Sequence, residues 1–407
     1  CPYGDIECDV AIVGGGFMGL SAALHLAERG ASVCVLEATA IGNGASGRNG
    51  GQVNPGIRPS LRELDARYGE AGTRLYRMAE AAPDYLFELV RRHRMNAGME
   101  RKGGMKLAHS RKAAAALEMA AAELNEQGIK AELLDREALR TRVGTDRYVL
   151  GMLDPRSAAV HPLDLVREYA RVAIDAGASI FERSPVVAFE RSAKGWRLLS
   201  LNGTVDATEV IVATNAYTDG SMPKLRRSVL PVNSFQIATA PLGDKLSATV
   251  LPEGQIAHDS RRLILYFRRL PAGEVLIGGR ASFVSKNRGK DDQLDYHVLK
   301  NALVGIFPQL NGIEITHRWT GLVGITLDRA PQYAQLHPGI HSLIGFNGRG
   351  VALTSRAGAW IAHRLLGEPD EFDFPRSAIK PIPLHRFRQP ILNAAMRWNH
   401  FMDTLGR

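Results

Sequence analysis

The sequence predicts an α/β fold, and three stretches carry that reading. A strand, glycine turn, helix and second strand occupy residues 10–37; a strand ending in small residues follows at 209–216; a further strand, glycine turn and helix run from 343 to 362. In the first stretch Val10–Val13 is the short apolar run of a buried parallel strand. Gly14, Gly16 and Gly19 supply the tight turn, the close approach to a pyrophosphate, and the close contact of helix with strand. Leu20, Ala23, Leu24 and Ala27 mark one helix face. The helix N-terminus, at Phe17 and Met18, offers free N–H groups and a positive dipole end to phosphates. Ser32–Leu36 is the second strand, and Glu37 ends it where a carboxylate holds an adenosine ribose. The other reading is a glycine-rich turn in an ordinary α/β domain, which leaves Glu37 without a role.

The chain has 407 residues, 45% of them hydrophobic and 23% charged, enough for a globular protein of about two domains. No apolar run reaches the length of a membrane span and no signal peptide is visible, although the chain starts at Cys1 and what precedes it is open. Three cysteines, Cys1, Cys8 and Cys34, have neither zinc spacing nor a disulfide framework, so a reducing cytoplasm is expected, with Cys34 a small core residue. The net charge of +9 comes from scattered arginines with no nucleic-acid motif, so nucleic acid is not expected as a partner. Such a field favours anionic ligands. No Gly-x-Ser-x-Gly elbow, P-loop or clustered His/Cys spacing supports a hydrolase or a metal site.

The first unit is common to NAD and FAD proteins. The next stretch separates them: Gly42, Gly44, Gly47, Gly50 and Gly51 crowd one loop, through which backbone passes close to a flat or charged ligand. A nicotinamide domain normally continues into further βα units. Ala213 and Thr214 end the second stretch, and the helix beginning near Gly350 aims its positive end at a ligand, suiting the flavin edge that becomes negative on reduction. A long cofactor touched by both ends of the chain fits FAD.

The words Gly-Ala-Ser-Gly-Arg-Asn-Gly-Gly-Gln at 44–52, Val-Ala-Thr-Asn-Ala-Tyr at 212–217, Tyr266-Phe-Arg, Ile277-Gly-Gly-Arg, Trp319-Thr-Gly-Leu-Val-Gly-Ile-Thr-Leu-Asp-Arg and Gly345-Phe-Asn-Gly-Arg-Gly-Val-Ala-Leu stand in this order. With them the chain resembles the D-amino-acid oxidase-like FAD oxidoreductases over nearly its whole length, and most closely the γ-glutamylputrescine oxidoreductase and pipecolate oxidase branch. The resemblance implies a Rossmann-like FAD domain assembled from residues 1–80, 155–220 and 318–368. It also implies a substrate domain with a mainly antiparallel sheet from 81–154 and 221–317. Strands are read at 101–110, 230–240, 262–269 and 273–280, with a helix at 111–127. The expected FAD contacts are Gly14, Gly16, Phe17, Met18, Gly19, Glu37 and Ala38, then Ala45, Ser46, Gly47, Arg48, Asn49, Gly50 and Gly51. Val186, Ala213, Thr214, Asn347, Gly348, Arg349, Gly350, Val351 and Ala352 complete them. Sarcosine oxidases place a carboxylate-holding lysine where Ala352 stands here. With no cysteine beyond Cys34 and no histidine at 43–47, FAD is expected to be noncovalent.

Oxidising an amine C–N bond needs an unprotonated nitrogen, a C–H bond aimed at the flavin, and stabilised charge. A substrate carboxylate calls for arginine. Arg349, Arg48 and Arg268 are the candidates, set against structural ion pairs for Arg349, loop anchoring for Arg48 and plain sheet alternation for Arg268. Tyr266 and Trp319 either line a pocket or belong to the core. His161, before Pro162, suits a helix cap. The expected function is oxidation of a small amine or amino acid to an imine, with a secondary amino acid such as L-pipecolate preferred and a γ-glutamyl polyamine as the alternative. Oxygen or a respiratory carrier would reoxidise the flavin. A nicotinamide dehydrogenase and a flavoprotein module without its own substrate are the readings from other classes. Residues 286–290 form a polar loop expected to be mobile. Residues 369–407 end in a basic amphipathic segment with Arg386, Arg388 and Arg397 among apolar residues. It either packs on protein or touches an anionic membrane surface.

Overall fold

The computed structural model describes residues 4–283, 290–376 and 379–388, together with 390, 391, 394, 398 and 402. Two eight-stranded sheets organise them. In the first, Gly4–Val13 lies centrally, parallel to Val33–Leu36 on one side and to Gly203–Val212 on the other. Ser179–Phe181 and Ile340–Ile344 extend the parallel order, and Gln332–His337 closes one edge antiparallel. Trp196–Ser200 and Val186–Arg191 attach as an antiparallel pair. Val10, Ala11, Ile12 and Val13 are all buried, as the continuous apolar run requires of a strand covered on both faces.

The helix Phe17–Ala27 is buried along its whole length because a second buried helix, Gly350–Leu366, packs beside it. Their contact is close because Gly358 faces Ser21. A Cβ at 358 would stand 2.5 Å from Ser21 Cβ and 2.7 Å from the Ala22 nitrogen. The Ser21 hydroxyl donates to the Ser355 carbonyl at 2.6 Å. Residues more than 300 apart in sequence thus bring both helix N-termini to one region.

The second sheet runs in the order Ile315–Ile325, Leu230–Thr239, Val275–Phe283, Tyr266–Arg269, Ile256–Asp259, Gly104–Ala108, Leu150–Asp154, Glu132–Leu134. All pairs are antiparallel except Ile256–Asp259 with Gly104–Ala108. Strand alternation divides its faces. Met105, Leu107, Phe235, Ile237, Phe267 and Ile277 share a core with Leu299 and Leu303 of the helix Lys290–Ile306. The intervening residues face the first domain. One line of cross-strand neighbours on that face reads Trp319, Gln236, Gly278, Tyr266, His258, Lys106.

Two boundaries differ from those read in the sequence. The helix Glu70–Arg92 continues past residue 80 and buries Leu86 and Leu89 in the core of the first sheet. Residues 318–325 belong to a strand hydrogen-bonded into the second sheet. His161 caps the helix Pro162–Asp175, its Nδ1 accepting from the Asp164 amide. Cys8 and Cys34 are buried in strands of the first sheet, which pushes both thiols up to about 12. Residues 286–289, and Arg397 with most of its apolar neighbours, lie outside the described residues. Leu384, Phe387, Ile391 and Trp398 are exposed. No helix among the described residues is long and apolar enough to cross a membrane.

Replacing Gly358 with valine forces the helix pair apart. The expected cost is about 1–3 kcal/mol, seen as a lowered thermal midpoint; an unchanged midpoint would show that the close contact is not required.

Candidate active site

The first strand ends at Gly14, whose φ of +109° no β-branched or bulky side chain adopts readily. A Cβ there would lie 3.3 Å from both the carbon and the oxygen of the Ala213 carbonyl, so the two strand ends form a narrow backbone cradle. The Phe17 amide, in the first turn of its helix, donates to Ser46 Oγ at 3.0 Å. The glycine-rich loop therefore folds over that N-terminus. Glu37 reaches back to the same turn: Oε2 accepts from the Gly15 amide at 2.9 Å, and Oε1 from the Thr39 amide at 3.0 Å. A cradle that a Cβ would fill, a helix N-terminus beside it and an acid at the strand end together fit a dinucleotide. Ala38 is exposed beside Glu37, and Val186 is buried in an apolar cluster with Trp196 and Leu198.

Residues 45–48 form a single helical turn. Asn49 ties it back, donating to the carbonyls of Ala45 at 3.2 Å and Ser46 at 2.7 Å and accepting from the Gly51 amide at 2.8 Å. The second sheet grips the same loop. Gln236 Nε2 and Trp319 Nε1 both donate to the Arg48 carbonyl, at 2.6 and 2.9 Å. The Arg48 side chain is engaged with neutral acceptors, the Asn43 carbonyl, Asn43 Oδ1 and the Thr320 carbonyl. Gly50 leaves room for the Tyr266 ring, which would lie 2.7 Å from a Cβ there. Gly51 leaves room for Arg268, which passes beneath the loop and donates to the Val160 carbonyl at 2.8 Å.

At the other end of the chain, Asn347 and Gly348 both have positive φ and turn the backbone into the helix Gly350–Leu366. The Asn347 side chain is buried and accepts from the Thr326 amide at 2.9 Å. Gly348, Arg349, Gly350 and Val351 border a cavity of 380 Å³ between the two sheets, while Ala352 turns into the core. Phe17, Ala45, Ser46, Arg48, Asn49 and Gly50 border it from the dinucleotide side, and His258 and Tyr266 from the second sheet.

Among the described residues, the charged side chains lining this cavity are Arg48, Arg58, Arg262 and Arg349, and no carboxylate joins them. Arg349 donates to the Pro55 carbonyl at 3.4 Å and has no carboxylate within ion-pair distance among the described residues. Its enclosure, with Arg58 nearby, holds its pKa down to about 10. Arg58 is lowered by burial and by Arg329. Burial, then Arg349, Lys106 and Arg58, push His258 well below the usual histidine range, so it is neutral. Its Nδ1 is enclosed without a hydrogen-bond partner. Tyr266 shares a 3.0 Å hydrogen bond with Ser234 Oγ, and burial raises it to about 12.

The structure thus brings Arg48, Arg349 and Tyr266 to one cavity. Arg268 and Trp319 stand outside its lining: the first is held under Gly51, and the second is spent on the Arg48 carbonyl. Sequence reading passed over Arg58, His258 and Lys106. Alternation marks His258 as opposite in facing to the buried Ala257, but only the sheet register sets it beside Tyr266 and Lys106. Replacing Trp319 with phenylalanine removes one of the two side-chain hydrogen bonds to the Arg48 carbonyl. About 1 kcal/mol of stability should be lost, measurable by thermal unfolding, with weaker dinucleotide retention; wild-type behaviour in both would deny the clasp.

A family model described as FAD dependent oxidoreductase (DAO) matches residues 9–364. Gamma-glutamylputrescine oxidoreductase of Escherichia coli (strain K12) is 34% identical over 406 residues, covering 98% of this chain and 94% of that protein. A probable oxidoreductase OrdL of Rhizobium meliloti (strain 1021) is 33% identical, covering 98% and 93%. Among solved structures, glycine oxidase from Geobacillus kaustophilus superimposes with a TM-score of 0.76 at 22% identity, over 90% of this chain and 97% of that one. L-proline dehydrogenase from P. horikoshii gives 0.74 at 18%, over 95% and 99%. With the cradle, the two helix N-termini and the family match in agreement, the chain belongs to the FAD-dependent oxidoreductases of the DAO family, and FAD is its cofactor.

Proposed function

We propose that this enzyme oxidises the C–N bond of a small amine or amino acid held by its carboxylate, with a secondary amino acid such as L-pipecolate preferred. The observation that carries the reading is Arg349, an enclosed guanidinium beside a helix N-terminus with no carboxylate partner among the described residues. A planar fork in that state takes a carboxylate on two oxygens.

Gly14, Gly16, Gly19 and the Met18 amide would hold the FAD pyrophosphate, and Glu37 the ribose. The loop 45–51 and the turn 347–351 would border the flavin. Bound noncovalently, FAD supplies the two-electron acceptor for the C–H bond next to nitrogen. Arg349 fixes the carboxylate and thereby that bond's direction. The cavity also acts on the substrate's proton. A lining with arginines and, among the described residues, no carboxylate disfavours an ammonium, so the bound nitrogen's pKa falls and the neutral amine, the form that gives up hydride to become an imine, is selected. Oxygen or a respiratory carrier reoxidises the flavin.

A second reading, oxidation of a γ-glutamyl polyamine, is favoured by the relative from E. coli that bears that activity in its name. In that case Arg349 holds a carboxylate remote from the reacting amine.

Anaerobic mixing with a panel of cyclic and linear amino acids and γ-glutamylputrescine separates the two by which compound bleaches the oxidised flavin. Replacing Arg349 with methionine should retain FAD and raise the apparent dissociation constant of the true substrate about 30- to 150-fold, the equivalent of about 2–3 kcal/mol. An unchanged constant would remove Arg349 from substrate binding.

A further inference from the structure

The geometry points to His258 as a second hold on the substrate's carboxylate: Arg349 takes the anion from the first domain, and the imidazole donates a hydrogen bond to it from the second sheet. This rests on the reading of the cavity as a carboxylate-anchored amine site and names a further residue that sets its specificity.

Sheet register puts the ring there. His258 stands in the strand Ile256–Asp259, paired with Tyr266 on one side and Lys106 on the other, and it lines the same cavity as Arg349. Its neighbours along the row that reach the lining are already committed. Gln236 donates to the Arg48 carbonyl at 2.6 Å, and the Tyr266 hydroxyl shares a 3.0 Å hydrogen bond with Ser234 Oγ. The Tyr266 ring is also fixed in place between two glycines: a Cβ at Gly50 would stand 2.7 Å from it, and one at Gly278 would overlap it. His258 is different. Its Nδ1 is enclosed and has no hydrogen-bond partner. A buried polar atom is rarely left so, and here the open side of the ring is the cavity.

The enclosure of Nδ1 decides which edge of the ring a ligand meets. It is the edge that carries Nε2. A hydrogen on Nε2 meets an anion with a donor, whereas the other tautomer turns a lone pair on the anion and shuts an N–H where nothing accepts it. The ring is neutral, since burial, Arg349, Lys106 and Arg58 all oppose its proton. It therefore adds a donor without adding charge to a lining that already carries Arg48, Arg58, Arg262 and Arg349. A carboxylate has room for both holds. Its oxygens offer about four lone-pair sites, and a guanidinium fork occupies two of them. The arginine supplies the charge, and the imidazole supplies a contact from the facing wall that fixes the tilt of the acid. A carboxamide in the same place forms only the weaker bonds of a neutral group.

The test uses the full-length FAD-loaded enzyme and two ring compounds that carry no amine, cyclohexanecarboxylate and cyclohexanecarboxamide, titrated against the oxidised-flavin band. His258→Leu should raise the dissociation constant of the acid about 10- to 150-fold, the range for a lost hydrogen bond to a charged group, and that of the amide by no more than about tenfold. The preference for the acid should shrink accordingly. His258→Gln, which offers an amide donor in place of Nε2, should recover most of the loss and guards against a folding defect in the first variant. Unchanged acid binding in His258→Leu, equal losses for acid and amide, or no recovery in His258→Gln overturns the inference while leaving the Arg349 site standing. Failure of the wild-type enzyme to bind the acid at all overturns the underlying reading as well.

Discussion

The close contact between the helices Phe17–Ala27 and Gly350–Leu366 is the constraint on which the site depends. Each follows a glycine turn at the end of a parallel strand, so each is committed to pointing its N-terminus off the same edge of the first sheet. Packed through Ser21 and Gly358, they aim two helix N-termini at one place. One end suits a pyrophosphate and the other suits a flavin edge that gains negative charge. A protein in which these helices stood a side chain further apart would keep both motifs and lose their convergence.

The second sheet completes the site by gripping what the first sheet cannot hold. The loop 44–51 is rich in glycine and gains little from its own packing, so its geometry is imposed from outside. Gln236 and Trp319, neighbours in register, hold the Arg48 carbonyl, and Tyr266 and Arg268 press against Gly50 and Gly51. The same line of residues continues to His258 and Lys106. One cross-strand row thus fixes the glycine-rich loop at one end and borders the cavity at the other. Among the described residues the lining carries guanidinium groups and no acid, a field that favours an anionic ligand.

What could be read in the sequence was what depends on local backbone chemistry. Gly14 and Gly348 take a positive φ, a Cβ at Gly16 would stand 3.0 Å from Ser46 Oγ and one at Gly19 2.1 Å from the Gly14 carbonyl oxygen, and Glu37 stands at the end of the second strand. What could not be read was set by register between distant strands. Lys106, His258, Tyr266 and Gln236 become neighbours only when the sheet is assembled, and nothing local to any of them announces the others. Arg48 shows a second limit. Its charge was plain, yet its fate was decided by the carbonyls of Asn43 and Thr320. Arg268 shows a third, since Tyr266 and Arg268 alternate correctly on one face but only the first reaches the cavity, because Gly51 opens a slot for the second.

The most direct measurement is a crystal structure of the FAD-loaded enzyme with cyclohexanecarboxylate, a ring acid that has no nitrogen to oxidise. The flavin should lie between the loop 45–51 and the N-terminus of the helix Gly350–Leu366, with the acid's carboxylate on the Arg349 guanidinium. A carboxylate bound elsewhere, with Arg349 turned to the flavin or to protein, would contradict the assignment of this cavity as a carboxylate-anchored amine site.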